Sequence, residues 1–116
     1  MTKNVITADE ETLVINTAKI MGQNRIGSVL ITRKGEPFGI FTERDLISNF
    51  LAKGRALFTE VGPECSQPLV AIPAGSSVHR AAAAMALKHI RRLPVIKDEK
   101  IVGIITARDL VEAYAK

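Results

Sequence analysis

Two stretches of the chain are apolar and β-branched enough to be strands: Ser28 to Thr32 and Leu93 to Ile96. Each is followed by four turn-forming residues, Arg33-Lys34-Gly35-Glu36 and Lys97-Asp98-Glu99-Lys100, and then by a second apolar run. Strand, polar turn and strand predict a hairpin in each case. Before each hairpin the period changes to that of a helix. Val14, Ala18 and Met21 would face inward on a helix from Thr12 to about Asn24. Val78, Ala82 and Met85 would do so on one from Ser77 to about His89. Helix-starting residues fill 9–12 and 73–77. Short extended segments precede them at 5–7 and 69–71. A last helix follows each hairpin, ending near Lys53 or Tyr114.

The two halves are copies. A shift of 64 positions sets residues 1–52 on 65–116 without a gap. The identities include Val14/Val78, Ala18/Ala82, Met21/Met85, Ile26/Ile90, Gly39/Gly103, Ile40/Ile104, Thr42/Thr106, Arg44/Arg108, Asp45/Asp109 and Leu46/Leu110. The chain is therefore read as α+β, two β-α-β-β-α units over 1–54 and 55–116. A unit this small cannot bury its apolar face alone, so the two are expected to pack on each other. Residues 54–64 join them, with one more helical turn expected at Phe58–Val61. The first unit has no counterpart to this joint, which reads as a chain trimmed from something longer.

The strongest shared feature is Gly-Ile-x-Thr-x-Arg-Asp-Leu, at 39–46 and 103–110. It places a strand end directly before a helix start. Thr42 and Asp45, like Thr106 and Asp109, have the spacing of a capping box, in which each side chain bonds a free amide of the helix start. A hydroxyl and a carboxylate at such a corner also suit a ribose phosphate. The amides and helix dipole favour phosphate, and a carboxylate can accept ribose hydroxyls. Gly39 and Gly103 sit in strand interiors, where glycine implies close approach by a neighbouring element or a ligand.

Composition narrows the function classes. At 47% apolar residues the chain should be globular. Its 116 residues can bury about two thirds of their unfolded surface, which needs no disulfide or metal. The one cysteine, Cys65, excludes an internal disulfide and a four-cysteine zinc site, and reads as a packing residue. His79 and His89 read as surface residues, with no metal site. With no apolar run near membrane length and no signal peptide, a soluble cytoplasmic protein is expected. Most of the net charge of +4 lies in the second half: 7 basic and 6 acidic side chains fall in 1–54, and 9 and 6 in 55–116. That suits an anionic partner without naming one.

Taken together, the tandem units, Ile-Gly-Ser-Val-Leu-Ile at 26–31, Arg-Arg-Leu-Pro-Val-Ile at 91–96 and the paired Thr-x-Arg-Asp motifs resemble a pair of CBS domains, named after cystathionine β-synthase. The resemblance covers essentially the whole chain. It implies two pseudo-symmetric units packed sheet to sheet as one module. It also implies a regulatory sensor of energy or metabolic state, with AMP, ADP, ATP or S-adenosylmethionine bound in two clefts between the units. One site would combine Ile104, Thr106, Arg108 and Asp109 with Ile6, Ile26, Gly27 and Ser28, and with Arg91 and Arg92 toward the phosphates. The other would combine Ile40, Thr42, Arg44 and Asp45 with Val70, Ile90 and Arg91. Where the second unit has Arg91-Arg92 the first has Gly27-Ser28. The Asp109 site is thus expected to be the stronger for a charged nucleotide, and the Asp45 site weaker, empty or suited to a less anionic adenosine compound.

Other readings stand beside this one. Asp45 and Asp109 could serve only as helix caps, leaving a structural dimerisation module. The alanine-rich run 81–86 is a strong helix former whose small side chains allow close helix approach. In the family such helices join two modules in a disc-like dimer, so a homodimer is expected. Nucleic-acid binding would need a basic stripe with stacking aromatics. Phe38, Phe41, Phe50, Phe58 and Tyr114 fall mostly at core positions instead. No catalytic constellation is present, so an enzyme is not expected. The sequence names neither the adenosine ligand nor the effector protein that would read the module, and no cofactor is required.

Overall fold

The computed structural model describes residues 5–115. Two compact units emerge, one of Ile6–Leu69 and one that begins at Val70. In the first, β1 (Thr7–Asp9) and α1 (Val14–Asn24) lead to the hairpin β2 (Ser28–Arg33) and β3 (Glu36–Thr42). Then come α2 (Glu43–Leu46), a π-helical turn (Ile47–Leu51) and a 3-10 turn (Gly62–Glu64). The second unit repeats the order as β4 (Ile72–Pro73), α3 (Val78–Lys88), β5 (Arg92–Lys97), β6 (Lys100–Thr106) and α4 (Ala107–Tyr114). Each unit has a three-stranded sheet with the long hairpin at one side and the short strand parallel to its first arm.

The α+β repeat is as the sequence reading has it, with local differences. The first strands lie later than expected, at 7–9 and 72–73, where Thr7 aligns with Leu30 and Ile72 with Val95. The hairpin loops are shorter than four residues. Arg33 pairs with Glu36 and Lys97 with Lys100, leaving two-residue turns. Both residues of each turn have positive φ: Lys34 and Gly35 at 51° and 78°, Asp98 and Glu99 at 52° and 65°. That backbone matches the twist of the flanking strands. A ladder irregularity falls at Ile31/Thr32 and again at the equivalent Val95/Ile96.

Val14, Met21 and Met85 are buried as expected, and only the middle position of each helix stripe shifts by one residue. Thr17 and Ala81 are buried, while Ala18 is half-buried and Ala82 exposed. A polar Thr17 can face the core because its hydroxyl donates to the Leu13 carbonyl at 3.1 Å, one turn back. Ser77 caps α3 by accepting from the Arg80 amide. α1 begins at Val14, after Thr12, and has no side-chain cap. Its first amides go elsewhere: Val14 donates to the Thr59 carbonyl at 2.8 Å and Ile15 to that of Leu57 at 3.0 Å.

That capping is why residues 55–69 fold onto the first unit. The sequence boundary at 54 follows the repeat; in the structure the hydrogen bonds of residues 57–66 tie the joint to the first compact unit, which runs to Leu69. Phe58–Val61 is irregular and bent around a bridge from Glu60 to Leu13, and the helical turn comes just after it, at Gly62–Glu64. Further along, Val61 and Gly62 donate to the carbonyls of Thr12 and Glu10, and Ser66 bonds Ile40 in both directions at 2.8 and 3.1 Å. Arg55 closes the strap, pairing with Glu64 at 2.8 Å and stacking 4.2 Å over the Phe50 ring.

The first core holds Val14, Val29, Ile31, Phe41, Phe50 and Val61, all without exposure. Phe41 and Phe50 meet edge to face at 6.4 Å. The π-helical turn matters here. Its wider spacing, seen in the Ala52 amide bonded to Ile47, rotates Phe50 inward. Tyr114, the repeat partner of Phe50, sits on a regular α-helix and is 78% exposed. The second core is smaller: Ile72, Ala81, Met85, Leu93 and Val95.

Gly39 is explained by the strap. A β-carbon there would lie 2.6 Å from the Cys65 sulfur and 2.7 Å from the Ser66 carbonyl oxygen. The close neighbour is thus a returning segment of backbone, neither a helix nor a ligand. Cys65 packs at this spot, its thiol donating to the Gly62 carbonyl at 3.1 Å. Burial pushes that thiol's pKa up. Gly39→Ala is expected to destabilise the protein by about 1–3 kcal/mol through overpacking, measured as a lowered denaturation midpoint. An unchanged midpoint would mean that Ser66 does not pair with β3.

Candidate functional site

The two Thr-x-x-Asp corners form as capping boxes. At the end of β3 the Thr42 amide donates to Asp45 Oδ2 at 2.9 Å, and the Asp45 amide donates back to Thr42 Oγ1 at 3.2 Å. At the end of β6 the Thr106 amide donates to Asp109 Oδ2 at 2.8 Å, and the Asp109 amide to Thr106 Oγ1 at 3.1 Å. Each corner is braced by the hairpin's first arm. Ser28 pairs with Thr42 and Arg92 with Thr106 across the ladder. The next amide, of Glu43, donates to the Gly27 carbonyl at 3.0 Å, and that of Ala107 to the Arg91 carbonyl at 2.8 Å.

These bonds change the expected chemistry. Of the first three amides in each helix, the first and third already have acceptors. The bare amide cluster expected to hold a phosphate is therefore mostly occupied. Negative charge at either corner would have to be met by side chains. The second unit has more of them: Arg91 is exposed and Arg92 half-buried beside Thr106. Gly27 and Ser28 stand in their places in the first unit. One asymmetry runs the other way. Arg108 pairs with Glu112 at 3.1 Å, both well exposed, whereas Ser48 occupies the position equivalent to Glu112 beside Arg44. A solvated pair of this kind is weak, so the Arg108 charge remains available at small cost.

The sequence-predicted residues divide by unit. The first unit brings Gly27, Ser28, Thr42 and Asp45 together, with Arg44 exposed on α2. Ile26 packs against its own core, and Ile40, half-buried, faces Ser66 along the outer edge of β3. Ile6 is half-buried, its carbonyl accepting from the Leu30 amide at 3.1 Å. The second unit brings Arg91, Arg92, Thr106 and Asp109 together, with Arg108 on α4. Ile104 is buried, and Val70 and Ile90 are half-buried against their own core.

One residue that sequence reasoning passed over stands at the first corner. Ser66 Oγ lies 3.4 Å from Asp45 Oδ1 and 3.5 Å from Oδ2. Its backbone pairing with Ile40 holds it there. Nothing in the repeat singled it out. Gly39 was the available signal, since a glycine inside a strand announces a close neighbour.

Comparison with known proteins agrees with this duplicated geometry. Residues 1–52 and 60–116 each match the family model described as CBS domain. An uncharacterized protein of Methanopyrus kandleri is 34% identical over 113 residues, a match covering 95% of this chain and 58% of that protein. The chain thus spans little more than half of that relative. The CBS domain-containing protein YhcV of Bacillus subtilis is 32% identical over 110 residues, covering 95% of this chain and 79% of that one. Among solved structures, a putative signal-transduction protein with CBS domains from Burkholderia ambifaria superposes with a TM-score of 0.88 at 26% identity, covering 97% of this chain and 83% of that one. A hexameric CBS-CP12 protein from bloom-forming cyanobacteria gives 0.89 at 28% identity, covering 96% and 66%. Two matched units, each with the same capped strand-to-helix corner, place the chain in the CBS-domain family, of which it carries a tandem pair.

Proposed function

We propose that the chain is a regulatory module that binds an adenosine ligand, AMP, ADP, ATP or S-adenosylmethionine, through its Thr-x-Arg-Asp corners, and that it does so in the cytoplasm. The observation that carries this reading is the duplicated corner. In both units a carboxylate and a hydroxyl meet where a strand turns into a helix, with an arginine next to the aspartate in sequence. Capping does not use up such a carboxylate, because its two oxygens offer about four acceptor positions. Arg91, Arg92 and Arg108 favour the second corner for a charged nucleotide. Signalling would follow from differential affinity: a ligand shifts the balance between conformations only if it binds one of them better. An effector protein or domain would read the outcome.

Calorimetric titration with AMP, ATP and S-adenosylmethionine tests the reading. Asp→Asn variants suit it better than Asp→Ala, because asparagine keeps an acceptor at the corner. One of the three ligands is expected to bind with a Kd on the order of micromolar. Asp109→Asn should weaken a nucleotide by at least about tenfold (~1.4 kcal/mol) with little change in melting temperature. No heat from any ligand, with earlier melting in both Asp109→Asn and Asp45→Asn, would leave the carboxylates as caps alone.

A second reading, a module whose role is self-association, has its own support. Ile47 and Leu51 in the first unit, and Val111 and Tyr114 in the second, are 55%, 56%, 68% and 78% exposed. Ile47 and Val111 are equivalent in the repeat. We propose that these helix faces pack against a second copy in a homodimer, with or without ligand. Light scattering after size exclusion is expected to show a dimer for the wild type and a monomer for Val111→Asp. A wild-type monomer would remove this reading.

A further inference from the structure

Resting on the proposed ligand site, we infer that Ser66 is a selectivity residue of the first corner, reading the hydroxyl groups of a ribose. Asp45 Oδ2 is already engaged by the Thr42 amide at 2.9 Å and the Thr42 hydroxyl at 3.1 Å. Oδ1 carries only the long contact from Ser66 at 3.4 Å among the described bonds to Asp45. A hydroxyl at 3.4 and 3.5 Å from two acceptors is bonded firmly to neither. It is nevertheless fixed in place, since Ser66 and Ile40 exchange backbone bonds at 2.8 and 3.1 Å. The corner therefore presents one accepting carboxylate oxygen beside one hydroxyl that can turn to donate.

That pair is complementary to a vicinal diol. The O–H groups of the diol donate to Oδ1, and the Ser66 hydroxyl donates to a diol oxygen. A sugar lacking one hydroxyl leaves the serine or the carboxylate short of a partner. Sites that hydrogen-bond a hydroxyl discriminate strongly against analogues lacking it. The Asp45 corner is thus expected to distinguish ribonucleosides from 2′-deoxynucleosides by more than charge would allow.

The test uses the full chain carrying Asp109→Asn, which weakens the second corner. Calorimetry compares adenosine and AMP with their 2′-deoxy counterparts, with and without Ser66→Ala and Ser66→Thr. Ser66 is exposed, so neither change should disturb folding. The expected result is a ribose preference that Ser66→Ala reduces about fivefold, the value of one neutral hydrogen bond, and that Ser66→Thr retains. If ribonucleosides bind, and Asp45→Asn abolishes their binding, an unchanged preference in Ser66→Ala overturns the role of Ser66 and leaves the site standing. If no ribonucleoside binds the first corner, the ligand reading of that corner fails, and the role of Ser66 with it.

Discussion

The reciprocal bond between threonine and aspartate at the end of each hairpin is the constraint on which the rest depends. It stops β3 and β6 at a defined residue and starts a helix on the next one. Without it two backbone amides at the turn would lack acceptors, a cost of about 1–3 kcal/mol each where water is excluded. The corner also fixes what lies around it. The carbonyls of Gly27 and Arg91 are drawn onto the first helical amides, so the chain before β2 and β5 is positioned by the chain after β3 and β6. Structure and candidate chemistry share the same atoms. A carboxylate held this way is oriented before any ligand arrives, which lowers the ordering cost of binding.

The two units are copies in sequence but not in their supports. The first is completed by a strap. Residues 55–69 supply carbonyls to the uncapped start of α1, lay Arg55 over Phe50, and press Cys65 and Ser66 against Gly39. The second begins its helix with a serine cap instead. Phe50 and Tyr114 show the same divergence. One turn of π-helix sends the first into the core, and a regular helix leaves the second in solvent. Equivalent positions can therefore differ in role. Arg108 pairs with Glu112, a serine, Ser48, stands at the equivalent position in the first unit, and Ser66 attends only the first corner among the described residues.

Much of this was legible in the sequence because it depends on local pattern. The 64-residue repeat, the hairpins and the Thr-x-x-Asp caps all rest on spacing within one element or between neighbours, and all appear where expected. What was hidden depends on the chain returning from a distance. Ala18 is expected inward, whereas Thr17 is buried in its stead because its hydroxyl bonds the Leu13 carbonyl, a property of the folded helix. Asp9 to Thr12 looked like a helix start, whereas the amides of Val14 and Ile15 are capped by carbonyls more than forty residues later. Phe58–Val61 reads as a helical turn by composition, but its backbone is committed to α1. Ser66 carried no signal of its own, and only the glycine it presses upon did.

The account stands or falls on whether the corners are complete in the free protein. Native-state amide hydrogen exchange on the ligand-free chain reads this directly at Thr42, Asp45, Thr106 and Asp109. Both amides of each reciprocal pair should be protected to nearly the same degree as the central strands β2 and β5. Rapid exchange at these four amides, with the strands still protected, would contradict a preformed corner and leave the carboxylates to be ordered by a ligand.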